Sequence, residues 1–444
     1  PLGGAGFPAS AALLPSNLRD TTDLETFTQE ARIASDYEDS RIDWLLGVFY
    51  SDIERDYAQR LPTPGYDAVT DAALGAGTAA AVANGFGPDS PYNADLPYDF
   101  KQFAVFAEGT VHLTDSLHFT AGVRYFDFEE ERRFTSGGLF SNGDDQTDRT
   151  TSDGFSPRFI LAYDVSEAVN VNAQASKGFR LGGVNDPLNL GLCDVDDAAT
   201  FGGFPTYDDE TLWNYEGGVK VKSGSITANV AGYYADINDL QITADAGSCS
   251  SRVVFNSDAR ALGVEAEFAW EPVEGLAFTL AGNWNDSQFT ETRLDVNSNV
   301  LAGIRDGNRL SSVPQFQFAA TGSYSFPVGR NEAFVAATFQ HVGSRFTQPA
   351  DQEPGAGTFV HNLPGFGGLT GTETTVLDLE LPDYQIINLT AGIDFEDWSL
   401  LAYINNITDE NALLAFDRER GGRARLGFHT NQPRTFGVTA RFRF

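Results

Sequence analysis

The last ten residues, Thr435-Phe-Gly-Val-Thr-Ala-Arg-Phe-Arg-Phe444, alternate without a break: Phe436, Val438, Ala440, Phe442 and Phe444 on one parity, Thr435, Gly437, Thr439, Arg441 and Arg443 on the other. A period of two is the side-chain repeat of a β-strand, so one face of this strand meets an apolar medium and the other a polar one. The alternation recurs at Val169, Val171, Ala173 and Ala175 against Asn170, Asn172, Gln174 and Ser176. It returns at Phe316, Phe318, Ala320, Tyr324 and Phe326, and at Ile387, Leu389, Ala391, Ile393 and Phe395. Working outward, about fifteen segments follow the rule, near 25–35, 41–57, 99–113, 116–135, 153–165, 167–181, 211–222, 225–241, 258–271, 275–290, 313–327, 331–347, 383–395, 397–409 and 434–444. Most reach or exceed the roughly 9–11 residues that carry a tilted strand across a membrane, whereas soluble strands average roughly 5–6.

The connections carry an independent signal. Tight turns fall at 36–40, 114–116, 165–167, 222–225, 272–275, 328–331 and 396–397, and between them lie long links at 58–98, 136–152, 182–210, 242–257, 291–312, 348–382 and 410–433. A transmembrane barrel sorts its hairpins this way, because every second one is a short periplasmic turn and the others are extracellular loops. The expected fold class is therefore all-β, a transmembrane antiparallel β-barrel with the last strand running down to the periplasm. Residues 1–24 read as part of an extracellular loop leading into the barrel, and 25–444 as barrel.

Composition agrees. The 444 residues carry 62 Asp and Glu against 29 Lys and Arg, a net charge of −33, and the only dense basic run is Arg418 to Arg425. Nucleic acid needs a basic face to displace its counterions, so it is excluded as a partner. No stretch approaches 18 consecutive apolar residues, so no helical span is expected. With Pro1 leading and no Met, the chain reads as a processed product or a fragment. Cys193 and Cys249 fall in two extracellular loops flanking one strand pair, which allows a disulfide; two free thiols are the alternative.

The two parities then acquire different surroundings. Tyr163, Trp270, Phe326, Phe395, Trp398, Phe442 and Phe444 sit near periplasmic ends on the apolar parity, as an interfacial aromatic girdle would. Glu30, Arg32, Arg124, Arg158, Lys177, Glu216, Lys220, Glu265, Glu267, Arg441 and Arg443 are assigned to the opposite, lumen-facing side, where charge is tolerable. Acidic residues crowd one long loop, with Asp194, Asp196 and Asp197 among them, and either steer a cationic ligand or solvate a surface bridged by divalent ions. His112, His118, His341, His361 and His429 share no ligand spacing, and no metal or cofactor is expected from them. Phe359, His361 and Phe366, in the longest late loop, are candidate ligand contacts. No Gly-x-Ser-x-Gly elbow or other catalytic motif occurs, so an enzyme is not expected.

Several stretches together resemble a TonB-dependent outer-membrane receptor: Ala175-Ser-Lys-Gly-Phe-Arg-Leu-Gly-Gly-Val-Asn185, Tyr215-Glu-Gly-Gly-Val-Lys220, Ala231-Gly-Tyr-Tyr-Ala-Asp-Ile-Asn-Asp239, Asn405-Asn-Ile-Thr-Asp-Glu410, and Pro433-Arg-Thr-Phe-Gly437 through Phe444. The resemblance implies a barrel of about 22 strands closed around a plug, so roughly seven strands and the plug lie outside the visible pattern, as does a TonB-contacting box. It implies that some of Glu30, Arg32, Arg124, Arg158, Lys177, Glu216, Glu265 and Glu267 meet the plug. It also implies outer-membrane lipids and lipopolysaccharide as surroundings, a TonB-type energy-coupling protein acting through the plug, and a scarce bulky nutrient as ligand, with a ferric siderophore as the default. Vitamin B12, haem and oligosaccharides stay open. The competing expectations are a passive porin, for which loops of the observed length are unfavourable, an adhesive surface barrel, and a receptor fragment without function.

Overall fold

The computed structural model describes residues 14–37, 40–190, 193–249, 251–360, 373–418 and 426–443. Fifteen strands form one antiparallel sheet, and each is paired with the wall strand that precedes or follows it in the chain. They are β1 (Arg19–Ala34), β2 (Ile42–Arg60), β3 (Asn93–His112), β4 (Leu117–Gly137), β5 (Asp145–Ser166), β6 (Val169–Arg180), β7 (Glu210–Ser223) and β8 (Ile226–Asp245). The wall continues with β9 (Arg252–Val273), β10 (Leu276–Phe289), β11 (Phe316–Val328), β12 (Asn331–Val342), β13 (Tyr384–Asp394), β14 (Trp398–Asn405) and β15 (Thr435–Phe442). Each of the fifteen segments read from the period of two coincides with one wall strand. β1 begins at Arg19, ahead of position 25, so part of the stretch expected as loop is strand. No helix among the described residues is long and apolar enough to cross a membrane.

Register fixes the faces. Val48 pairs with Val105, Val105 with Tyr125, and Tyr125 with Phe155. Val48, Val105 and Phe155 in this outward row are 45%, 44% and 62% exposed, and Leu161, Val230, Leu280 and Val335 stand out similarly on the same parity. In water so wide an apolar surface would be a liability, whereas against hydrocarbon it is the solvated state. Toward the periplasmic end the outer parity ends in aromatic pairs: Trp270 with Phe278 at 5.9 Å, Tyr324 with Phe326 at 5.4 Å, and Trp398 between Phe395 at 4.0 Å and Phe442 at 6.5 Å. Phe444 lies outside the described residues.

The inner face is built differently. Aromatic rings lie over glycines of the neighbouring strand: Phe106 over Gly47, Phe126 over Gly154, Tyr233 over Gly263, Phe334 over Gly392 and Tyr403 over Gly437. A Cβ at Gly47 would stand inside the Phe106 ring's contact distance, so the close approach requires glycine there. Each ring covers a strand position that has no side chain of its own, which pins register on a face with little apolar packing to set it.

The long strands overshoot the membrane. β3, β4, β5, β8 and β9 have 20, 21, 22, 20 and 22 residues, about twice the crossing length. Their upper halves and the loops above them form an extracellular layer with cores of its own. One core gathers Leu188 and Phe201 from loop 182–210, Ile242, Ala246, Cys249, Val253 and Phe255 around loop 242–257, and Leu301 and Ile304 from loop 291–312. A second packs Phe359, Leu379, Leu381 and Phe416. Short two-stranded ribbons, absent from the sequence reading, stiffen these loops: 183–184 with 206–207, 345–346 with 380–381, 358–360 with 374–376, and 413–418 with 426–430.

The sheet is open. Among the described residues β1 pairs only with β2, and β15 only with β14. An odd number of antiparallel strands leaves the two edges running in the same direction, so they cannot continue the antiparallel ladder into each other.

Candidate functional site: the inner wall and its loop cap

Seven of the eight charged residues expected as plug contacts occupy the inner parity. Glu30 shares a register row with Phe49 and Ala104, and Arg32 one with Gly47, Phe106 and Arg124. The Arg124 guanidinium lies over Phe49 at 5.1 Å and Phe106 at 5.7 Å. Arg158 reaches Glu108 at 3.8 Å. Glu216 accepts from Gln174 Nε2 at 2.9 Å, Glu265 from Asn283 Nδ2 at 3.2 Å, and Glu267 from Asn229 Nδ2 at 3.3 Å. Lys177 is a correction. It pairs with Trp213 and counts with Ala173 and Ala175, so it belongs to the parity opposite Ser176 and Glu216. A strict count of two from Val169 overrides its charge.

Lys220, Glu265, Glu267, Asn229, Asn283 and Gln317 line a shallow groove of about 510 Å³ on this wall. Carboxylates and amides alternate across it, giving acceptors and donors side by side. Such a surface can dock a polar protein element or a hydrated solute; it holds no nucleophile set against a base.

Higher up, the inner row Arg55, Tyr98 and Arg132 places two guanidiniums around one phenol ring. Arg55 lies over Tyr57 at 5.0 Å and over Tyr98 at 5.4 Å, and Arg132 lies over Tyr98 at 4.8 Å. Arg55 has no carboxylate partner among the described residues. Arg132, 8% exposed, donates Nη1 to the Val184 carbonyl at 2.6 Å and pairs with Asp186, while its Nε is left without a partner. Burial raises the phenol of nearby Tyr207, with the charge of Glu130 adding to it, so Tyr207 stays a neutral donor. Sequence reading missed this row because its members come from three strands; the signal it left was basic and aromatic residues on the inner parity beyond crossing length.

The loop candidates divide. Asp194 caps the helix α1 (Val195–Phe201) by accepting from the Asp197 N–H at 2.8 Å. Asp197 accepts both the N–H and the hydroxyl of Ser248 at 2.6 Å, so these two acids hold loops together. Asp196 is exposed. Cys193 and Cys249 form a disulfide beside them. Phe359 is 7% exposed and packs on Phe416 at 5.6 Å, which gives its ring a place in the loop core. His361 and Phe366 lie outside the described residues.

Comparison with known proteins places this architecture. A family model described as TonB dependent receptor-like, beta-barrel matches residues 65–407. The pesticin receptor of Yersinia pestis is 24% identical over 231 residues, covering 52% of this chain and 31% of that protein. The metal-pseudopaline receptor CntO of Pseudomonas aeruginosa is 24% identical over 253 residues, covering 54% of the chain and 32% of the receptor. The matched stretch thus spans about a third of these relatives. Among solved structures, the ferric yersiniabactin uptake receptor FyuA from Yersinia pestis superposes with a TM-score of 0.71 at 17% identity, over 97% of this chain and 55% of that one. The inward charges, outward hydrocarbon face and folded loops are thus those of a receptor wall: the chain belongs to the TonB-dependent receptor-like β-barrel family, proteins of the Gram-negative outer membrane.

Proposed function

We propose that the chain is the larger part of the wall of an energy-dependent receptor that takes up a scarce, bulky nutrient, most readily a ferric siderophore or another anionic iron complex. The observation that carries this reading is the Arg55–Tyr98–Arg132 row at the extracellular end of the inner face. The exposed Arg55 guanidinium over the Tyr98 ring, with Arg132 held behind that ring by Asp186, suits a ligand that is both anionic and aromatic or carboxylate-rich. The names of two similar proteins, a metal-pseudopaline receptor and a ferric yersiniabactin uptake receptor, support uptake of a metal complex. In this reading further strands complete the barrel, a plug meets Glu30, Arg32, Arg124, Arg158, Glu216, Glu265 and Glu267, and a TonB-type protein supplies energy through the plug. The exposed Asp196 stays a loop contact candidate.

The test is uptake of radiolabelled iron chelates by a deletion strain carrying the gene. Restored, energy-dependent uptake under iron limitation supports the proposal, and Arg55→Ala should weaken ligand binding roughly 10-fold or more, the loss expected for one charge-assisted contact. High, motor-independent conductance in planar bilayers would instead identify a passive porin.

A further inference from the structure

We propose a binding site for a divalent transition-metal ion, of the Zn²⁺, Ni²⁺ or Cu²⁺ class, between His112 and His118 on the inner wall at the periplasmic end of β3 and β4. The two histidines are register partners across the hairpin that joins these strands. Their Nδ1 atoms face each other at 2.7 Å. The outer nitrogens are each held by a carboxylate from a flanking strand: His112 Nε2 by Asp43 of β2 at 2.7 Å, and His118 Nε2 by Asp164 of β5 at 3.3 Å. The second oxygen of Asp164 accepts from Asn170 Nδ2 at 2.8 Å, which fixes that carboxylate from behind.

The tautomers follow from the partners. A carboxylate only accepts, so each Nε2 carries the ring hydrogen, and in a neutral imidazole the remaining nitrogen then presents a lone pair. Both Nδ1 lone pairs therefore point into the same small space, where they repel unless a cation lies between them. Imidazoles whose far N–H is anchored by a carboxylate are the arrangement that metal-binding histidines adopt, because the carboxylate fixes the ring and raises its basicity. Charge selects the occupant. The two carboxylates contribute two negative charges to the cluster; a divalent ion neutralises them, and a shared proton leaves one uncompensated.

The geometry needs little adjustment. An ion bound at about 2.0–2.1 Å to each nitrogen with tetrahedral angles sets the nitrogens about 3.3 Å apart, so the rings must separate by about 0.6 Å. The rings already stand nearly perpendicular, at 80°, with centroids 4.8 Å apart, and a small rotation of each side chain supplies the opening. Side-chain exposures of 33% for His112 and 25% for His118 leave the space reachable from the lumen, and water completes the coordination there. The six-residue spacing of the pair has no meaning in a helix or a loop motif, and only the strand register brings the two rings together.

The experiment is metal binding to the full chain in detergent micelles, stripped of metal and titrated with Zn²⁺ against a chromophoric chelator, with Co²⁺ as a spectroscopic stand-in. One equivalent of Zn²⁺ should bind, and Co²⁺ should give the intense visible absorption of a low-coordinate nitrogen site. His118→Gln should lower the affinity at least 100-fold, Asp43→Asn and Asp164→Asn about 10- to 100-fold by loosening the rings, and His341→Gln, on the outer face, not at all. Absence of stoichiometric Zn²⁺ binding to the unaltered chain overturns the proposal without recourse to any variant and leaves a shared proton as the occupant. Binding that survives in folded His118→Gln, judged by its β-sheet circular dichroism, overturns it as well.

Discussion

Single residues decide how tightly the inner face is held. The ring-over-glycine pairs are the clearest case, because the side chain that would fill each gap is supplied by the next strand. Gly47→Val should displace Phe106 and destabilise the folded chain by about 1–3 kcal/mol, the usual cost of overpacking; urea unfolding in micelles measures it, and Phe106→Ala in the same background should recover part of the loss. Above the membrane, Arg305 donates Nε to Glu353 Oε1 at 3.1 Å and Nη2 to Oε2 at 2.6 Å, and Asn308 Nδ2 adds a third bond at 3.0 Å. These bonds, the Arg305 pair first, hold the Glu353 carboxyl below its ordinary range. A carboxyl depressed in the folded state contributes its full stability above its unfolded value, about 4.3, and loses it as the pH falls through the folded one. Contact between loops 291–312 and 348–382 should therefore persist at neutral pH and loosen only in acid below that value. Protease sensitivity across a pH series, with Glu353→Gln loosened already at neutral pH, checks the sign.

At the scale of the element, one residue's step along a strand changes its solvent. Leu280 and Thr279 of β10 sit at the same height, the first outward and the second inward, and both are exposed. Leu280→Lys should cost about 2–4 kcal/mol near the bilayer centre while Thr279→Lys costs little, and the difference in unfolding midpoints in lipid vesicles reads it. Loops follow another logic. With the disulfide removed by Cys193→Ser and Cys249→Ser, loops 182–210 and 242–257 should lose about 2–4 kcal/mol of local stability, seen as faster hydrogen exchange there with the wall unchanged. The strands were legible because period two is local: five or six residues suffice to read it. The loop cores were not, because Leu188 and Ile304 of two loops and Phe255 at the upper end of β9 meet from far apart in the chain. Lys177 shows the opposite failure, a charge allowed to outweigh the parity of its own strand, and the His112–His118 pair shows that a cluster scattered in sequence can be assembled by register alone.

The whole molecule is a wall with two solvents. Its outer side exposes leucine, valine and aromatic rings that no soluble protein would leave uncovered, and its inner side exposes carboxylates, amides and guanidiniums that no lipid would accept. Loop parity, strand length and the matching family all follow from that division, as does the proposal that the wall surrounds a passage for a bulky ligand. The most direct test is a spin-label scan of residues 277–281 in β10, reconstituted in lipid vesicles, recording accessibility to oxygen and to a water-soluble nickel chelate. A wall between two solvents gives a strict alternation, with 278 and 280 favouring oxygen and 277, 279 and 281 favouring the chelate. Equal accessibility to the chelate at all five positions would contradict it.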